Sequence, residues 1–179
     1  MVETSRYLVV LAVFAVAGCA GELKYWVEPC TRPETGCRPA DPDLAQWAME
    51  AWAGASGGKL KVIRTVEKES ARIRFYWITT REGLYGETRG GEIYVRPEPG
   101  QGLSRDTIVY LTCLHESGHA LGLPHTAEFA DIMYNFQFGG DIGQYFGRYS
   151  RKLARRDDIR HNSGISPNDR AQLMRIYNE

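Results

Sequence analysis

Three of the four histidines in the chain lie within eleven residues, in the segment HESGHALGLPH at 115–125. On an α-helix each residue advances by about 100°, so His115 and His119 lie on one face, one turn apart, where their imidazoles can reach a common metal ion. Gly122 allows a sharp turn where the helix ends, and that turn would bring His125 to the same ion. Three neutral imidazoles suit Zn²⁺ and leave one coordination position open, as in catalytic rather than structural zinc sites.

Glu116 adds an acid–base group beside these ligands. It lies about 100° around the helix from His115, near the metal but poorly placed to coordinate it. Zinc lowers the pKa of bound water from about 15.7 to near 7, and a neighbouring carboxylate can take that proton and pass it to a leaving amine. The spacing therefore predicts metal-assisted hydrolysis, with Glu116 as general base and acid. Satisfied surface or core histidines are the simpler alternative, which the convergence of three histidines disfavours.

The elements that must position this segment are predicted by hydrophobic spacing and turn residues. Asp41 and Ser166 are predicted N-caps, each followed by a proline. Residues 123–164 show little periodicity, and residues 81–91 form a glycine-rich loop. The expected elements are a first helix from Asp41 to Gly58, strands over 60–66, 71–78 and 91–97, a helix from Ser104 to Gly122, and a final helix over 166–177. This order predicts one α+β domain.

The full pattern H-E-x-x-H-x-x-G-x-x-H, followed by Met133 in ADIMYN, resembles the metzincin metallopeptidases. Within that family, HESGHALGLPHT and DIMY are most similar to the matrixins, and the similarity extends over 41–134 and 165–177. The resemblance implies a catalytic domain over 41–179 with a small, twisted, mostly parallel sheet, an antiparallel edge strand, an active-site helix and a C-terminal helix. It also implies one catalytic zinc ion, with Met133 beneath the metal site and not a ligand.

The sequence departs from the matrixin pattern at several positions. Thr126 follows the third histidine, where matrixins usually carry serine. Asn135 and Phe136 follow Tyr134, where a proline is usual, so the wall of the specificity pocket is open to question. Because Asn135 occupies the place of the extra tyrosine ligand of astacins and serralysins, Tyr134 is not expected to coordinate. The loop over 81–100 lacks the residues that hold structural zinc and calcium in many matrixins, so no second zinc is expected and a calcium requirement stays open.

Substrate contacts are also inferred from the resemblance. In metzincins an extended peptide pairs with an edge strand above the metal, and GEIYVRP matches that strand by position, which makes Ile93, Tyr94 and Val95 the expected backbone contacts. Residues 134–138, including Tyr134, Asn135 and Phe136, would line the pocket that follows the scissile bond. Completing the sheet and packing the core are the alternative roles of these residues.

The N-terminal residues predict export. The apolar run over 7–17 is too short to span a bilayer and is typical of a secretory signal, assigned to 1–18. The stretch VAGC resembles a bacterial lipobox, which implies lipidation at Cys19, followed by a tether over 19–40. In an oxidising compartment Cys30 and Cys37 favour a disulfide over a metal pair, and Cys113 is left as a buried thiol.

The composition limits the classes of partner. The 179-residue chain has 22 basic and 22 acidic side chains, and this balance gives no overall attraction to nucleic acid. From the histidine motif and the N-terminal residues together, we expect a monomeric, zinc-dependent endopeptidase of proteins or peptides. We expect it to be a lipoprotein anchored to the outer membrane or cell surface. Two alternatives stay open: a surface-anchored zinc protein that binds without hydrolysis, and a zinc hydrolase of non-peptide or cell-wall amides.

Overall fold

A mostly parallel sheet forms the framework of the fold. The structure is a computed structural model that describes residues 22–79 and 85–177, and within these the strands are β1 (Glu22–Val27), β2 (Lys61–Arg64), β3 (Ile73–Trp77), β4 (Gly86–Arg89) and β5 (Glu92–Val95). Their order across the sheet is β2-β1-β3-β5-β4. The first four in that order run parallel, and β4 pairs antiparallel with β5 at one edge. The expected α+β architecture with an antiparallel edge strand is confirmed.

Five α-helices accompany the sheet within the described residues, and the three that the sequence predicted are among them. They are α1 (Asp41–Ala55), α2 (Gly102–Ala120), α3 (Ile142–Ser150), α4 (Asp158–His161) and α5 (Pro167–Ile176). The buried core joins the inner face of the sheet to α1 and α2, with Phe75 and Ile93 on the sheet and Trp52 on α1 fully buried. Each side chain of this size stabilises the fold by about 1.5–3 kcal/mol through burial.

The first strand corrects the sequence prediction of a tether over 19–40. Glu22–Val27 pairs with β2 on one side and β3 on the other, so it lies inside the sheet. Leu23, Tyr25 and Val27 are buried and alternate with more exposed residues, which is the period-two pattern of a strand. The prolines and glycines that predicted an irregular arm all follow this strand, so they describe only 28–40.

The helix boundaries differ from prediction where a tertiary contact competes with capping. Asp41 was expected to cap α1, but Ala40 is the N-cap and Asp41 lies in the first turn. The Asp41 carboxylate instead forms a buried ion pair with Arg105 of α2. Ser104 does not cap α2, which begins at Gly102. Ser166 does cap α5, in a capping box with Asp169.

Helix α3 lies in a region where little regular structure was expected. Asp141 caps it by accepting a hydrogen bond from the backbone N–H of Gln144. Ile142, Tyr145 and Tyr149 recur at three- and four-residue steps, and both tyrosines are buried. The helical pattern was therefore present in the sequence, although flanking glycines and cations obscured it.

Some predictions for the N-terminal part of the chain concern described residues, which begin at Glu22, and others do not. Cys30 and Cys37 are joined by a disulfide with Cα atoms 5.3 Å apart, and Cys113 is a free, buried cysteine on α2. The signal over 1–18 and the lipidation site Cys19 lie outside the described residues. No helix within 22–79 and 85–177 combines the length and apolar character needed to cross a lipid bilayer.

Candidate metal centre

The C-terminal end of α2 and the turn after it place the three histidines. His115 and His119 are one turn apart on the helix, as the spacing predicted. Gly122 has a φ of 98°, a left-handed conformation that favours glycine. The backbone N–H of Leu123 donates to the carbonyl of Gly118 at 2.9 Å, which closes the helix and reverses the chain. This reversal brings His125 back over the helix end.

The three Nε2 atoms converge as zinc ligation requires. The Nε2 atom of His125 lies 3.2 Å from that of His115 and 3.0 Å from that of His119. Tetrahedral zinc with Zn–N bonds of about 2.0–2.1 Å places its ligand nitrogens roughly 3.3 Å apart. The separations therefore fit one zinc ion, and these histidines form a group whose ligand atoms all lie within 4.8 Å of one another.

Hydrogen bonds to the opposite ring nitrogens fix the orientation of two ligands. Nδ1 of His115 lies 2.7 Å from the carbonyl oxygen of Ile132, and Nδ1 of His119 lies 2.9 Å from that of Leu123. A carbonyl can only accept, so each Nδ1 carries the proton and each Nε2 presents its lone pair to the centre. Such outer contacts hold the tautomer and raise the basicity of a metal ligand.

Burial also keeps the imidazoles of His115 and His125 neutral. Burial lowers the pKa of His115 to about 4, against a smaller opposing effect of its hydrogen bond to Ile132. Burial also lowers the pKa of His125, with a further contribution from neighbouring His119. Neutral imidazole is the form that binds a metal, so these two pKa shifts favour zinc binding.

Glu116 lies beside the histidines in a protected position. Its side chain is buried, and its Oε2 accepts a hydrogen bond from the Thr88 hydroxyl at 2.7 Å. Burial raises the pKa of Glu116 to about 7, and the negative charge of Glu87 adds to this rise while the Thr88 hydrogen bond opposes it. A carboxylate with a pKa near neutrality suits proton transfer in both directions.

Comparisons with known proteins identify a similar fold. No family model matches the chain, and no curated protein matches its sequence. Among solved structures, the chain is similar to the crystal structure of archaemetzincin from Methanopyrus kandleri, with a TM-score of 0.55 and 14% identity over 92% of this chain and 99% of that chain. The chain has a metzincin-type fold. At this identity the similarity concerns the fold alone.

Met133 packs closely against α2 at Gly118, the residue that precedes His119. Met133 is fully buried, and a Cβ atom added to Gly118 would come within 2.4 Å of its sulfur. The same added atom would lie 3.0 Å from the Trp52 ring. Gly118 therefore permits the close approach of α2 to the methionine, which explains the glycine inside the HESGH segment.

Asp169 on α5 holds the backbone of this methionine turn, and the sequence reasoning did not identify that role. Its buried carboxylate accepts hydrogen bonds from the backbone N–H groups of Ile132 at 2.8 Å and Met133 at 3.2 Å. It also accepts from the N–H of Ser166 at 2.9 Å. Ser166 and Pro167 indicated a helix start, but nothing local indicated a partner 36 residues away.

The cleft in front of the histidines has a volume of about 610 Å³. Tyr134, Asn135 and Phe136 line it, where the resemblance had placed them. The Tyr134 hydroxyl donates to the carbonyl of Gly139 at 2.6 Å. The other walls come from β4 and α3, which contribute Gly86, Glu87, Thr88, Ile142, Tyr145 and Phe146.

The predicted substrate strand is corrected by the sheet order. Ile93, Tyr94 and Val95 lie on β5, which is paired with β3 on one side and β4 on the other. Their backbone groups therefore cannot pair with a peptide as an edge strand does. The edge strand beside the cleft is β4, whose glycine and charged residues have weak strand propensity and so read as a loop.

Proposed function

We propose that the chain is a zinc-dependent endopeptidase. The convergence of the Nε2 atoms of His115, His119 and His125, with the buried carboxylate of Glu116 beside them, carries this proposal. The metzincin-type fold supports it. One zinc ion at the three imidazoles would polarise the scissile carbonyl and activate water for attack.

In the proposed peptide hydrolysis, Glu116 acts first as a general base and then as a general acid. Glu116 takes a proton from the attacking water as the new C–O bond forms. It passes that proton to the amine as the C–N bond breaks, so the carboxylate is regenerated at the end of the cycle. Proton transfer in both directions requires the carboxylate to stay close to the reacting atoms.

The edge position of β4 gives a substrate backbone a place to bind. An extended peptide can add to a sheet edge through main-chain hydrogen bonds, while pockets choose among side chains. Beside β4, the cleft wall from α3 carries Tyr145 and Phe146, whose rings pack edge to face at 5.5 Å. We therefore propose a peptide bound along β4, with a matrixin-like preference for a large apolar residue after the scissile bond.

The cellular setting is a separate proposal based on the first residues. The signal-like segment over 1–18 and the lipobox-like Cys19 support export and attachment to a membrane through a lipid. Mass spectrometry of the protein purified from membranes would test this. A diacylated Cys19 at the mature N-terminus is expected, and an unmodified chain that retains Met1 would contradict it.

The function is tested by offering the zinc-loaded protein a diverse peptide pool and reading the cleavage sites by mass spectrometry. Cuts that disappear in the Glu116→Ala variant, while that variant keeps its zinc, are the expected result. Wild-type turnover by Glu116→Ala would contradict the role of this residue. A folded, zinc-loaded protein that cuts no peptide would favour a zinc-binding protein or a hydrolase of other amides.

A further inference from the structure

The edge strand β4 makes direct contact with Glu116. A Cβ atom added to Gly86 would lie 2.7 Å from Cγ of Glu116 and 3.0 Å from its Oε1, too close for any residue larger than glycine without displacement. The same added atom would lie 2.8 Å from the Thr112 side chain. The backbone of β4 therefore packs against the carboxylate side chain with no intervening group.

Thr88 projects toward the same face of β4, two residues farther along. Its Oγ1 lies 2.7 Å from Oε2 of Glu116 and 2.9 Å from the backbone carbonyl oxygen of the same residue. The first distance is typical of a hydroxyl that donates to a charged carboxylate, which is among the stronger hydrogen bonds in proteins. One hydroxyl thus contacts both the side chain and the backbone of Glu116.

We propose that Thr88 is a positioning residue that holds the Glu116 carboxylate in its reactive orientation. This inference rests on the proposed peptidase function. The terminal torsion of a glutamate side chain is soft, so the plane of its carboxylate is poorly fixed by the chain alone. A hydrogen bond to Oε2 fixes one oxygen and thereby the direction of Oε1. A general base must lie within hydrogen-bond reach of the proton that it takes, and small displacements are costly.

A hydroxyl is suited to both halves of the proposed cycle. It donates to Oε2 while Glu116 is a carboxylate. When Glu116 carries the proton on Oε1, Oε2 becomes the carbonyl oxygen of the acid and can still accept from the hydroxyl. Threonine and serine share this capacity, whereas valine has the shape of threonine without it.

The position of Thr88 on β4 also links the base to the substrate. In the proposed binding mode, the peptide backbone pairs with the outer side of Gly86–Arg89. The same four-residue strand then sets the position of both the scissile bond and the carboxylate. A shift of β4 would move the two together.

The test compares Thr88→Val and Thr88→Ser with the wild-type, zinc-loaded chain. For Thr88→Val we expect kcat to fall about 10- to 100-fold with KM changed less than about threefold, because orientation and not binding is lost. Thr88→Ser should recover kcat to within about threefold of wild type. Zinc affinity should change little in either variant, and both variants should remain folded at the assay temperature.

Crystal structures of the variants provide a readout that does not depend on turnover. We expect the Glu116 carboxylate to leave its wild-type position in Thr88→Val and to keep it in Thr88→Ser. An unmoved carboxylate or a wild-type kcat in Thr88→Val would overturn the proposal, as would an equal loss of kcat in both variants. Failure of the wild-type protein to cut any peptide would instead overturn the proposed function, and the carboxylate positions would still decide the role of Thr88.

Discussion

The metal-centre segment, residues 115–134, and the cleft walls, β4 and α3, are held in place by different forces. In the segment, hydrogen bonds of buried polar groups hold the chain in place: Asp169 accepts from two backbone N–H groups of the methionine turn, and His115 donates to the Ile132 carbonyl. In the walls, aromatic rings pack edge to face, as Phe146 does with Tyr85 at 5.5 Å. The segment is held by its hydrogen bonds, while the α3 wall depends on aromatic packing, which tolerates substitution better. The β4 wall contacts the segment directly through Gly86 and Thr88.

The difference indicates a division of tasks between the two regions. Losing one buried hydrogen-bond partner leaves another polar group unsatisfied, so the metal-centre segment should respond steeply to single changes. Truncating one aromatic side chain reshapes a partly exposed cleft, so the walls should alter preference while zinc binding persists. Tyr145 joins the two regions, because it lines the cleft and its hydroxyl donates toward the Ile132 carbonyl at 3.1 Å.

The largest effect is expected for His119→Ala. Removing one of three imidazoles should weaken zinc binding by more than about 1,000-fold, since changes in outer contacts alone cost 10- to 100-fold. Cleavage should disappear with the metal. Zinc titration monitored with a competing chelator measures the change in affinity.

His161→Ala is the matched control, because this histidine is exposed on α4. Its zinc affinity and turnover should equal those of the wild type. Equal zinc loss in the two variants would show that the metal does not depend on the proposed group.

A smaller effect is expected for Asp169→Asn. The amide that replaces one carboxylate oxygen would face backbone N–H groups donor to donor, so the free energy of unfolding should fall by about 2 kcal/mol. Zinc affinity should fall as well, because the methionine turn carries the Ile132 carbonyl that orients His115. Urea unfolding at neutral pH measures the first quantity.

Asp157→Asn provides the comparison, since Asp157 is an exposed aspartate before α4. It should unfold at the wild-type urea concentration. If Asp169→Asn also unfolded at the wild-type urea concentration, the Asp169 carboxylate would not stabilise the metal-centre segment.

The smallest of the three effects is expected for Phe146→Ala, in a cleft wall. The variant should keep wild-type zinc affinity and lose about tenfold in kcat/KM for peptides with a large apolar residue after the scissile bond, relative to peptides with alanine there. Phe138→Ala makes the same chemical change at a more exposed ring outside the cleft lining. If the ratio of kcat/KM between the two kinds of peptide did not change in Phe146→Ala, α3 would not contribute to substrate specificity.

The sequence predicted those parts of the site that depend on short-range geometry. His115 and His119 follow from the helical repeat, and Gly122 accounts for the turn that returns His125. The other contacts join residues far apart in the chain: Thr88 reaches Glu116 across 28 positions, and Asp169 reaches Met133 across 36. No local pattern encodes such pairs, because they depend on how the elements pack.

Three elements were misjudged, and two of them, β1 and α3, carried readable signals in their sequences. The stretch GETR forms β4 because pairing with β5 and packing against α2 override the weak propensity of its residues. The alternation in β1 and the spacing in α3 were readable, but neighbouring prolines, glycines and cations obscured both. Of the three, α3 and β4 line the cleft in front of the histidines, so the fold class was predictable while the shape of the cleft was not.

The proposed zinc site is tested most directly by a crystal structure of the zinc-loaded protein, with anomalous diffraction measured at the zinc absorption edge. We expect one strong peak about 2.1 Å from the Nε2 atoms of His115, His119 and His125, with the Glu116 carboxylate nearby but not coordinated. A peak that excluded any of these three histidines, or a bond from zinc to Glu116, would contradict it.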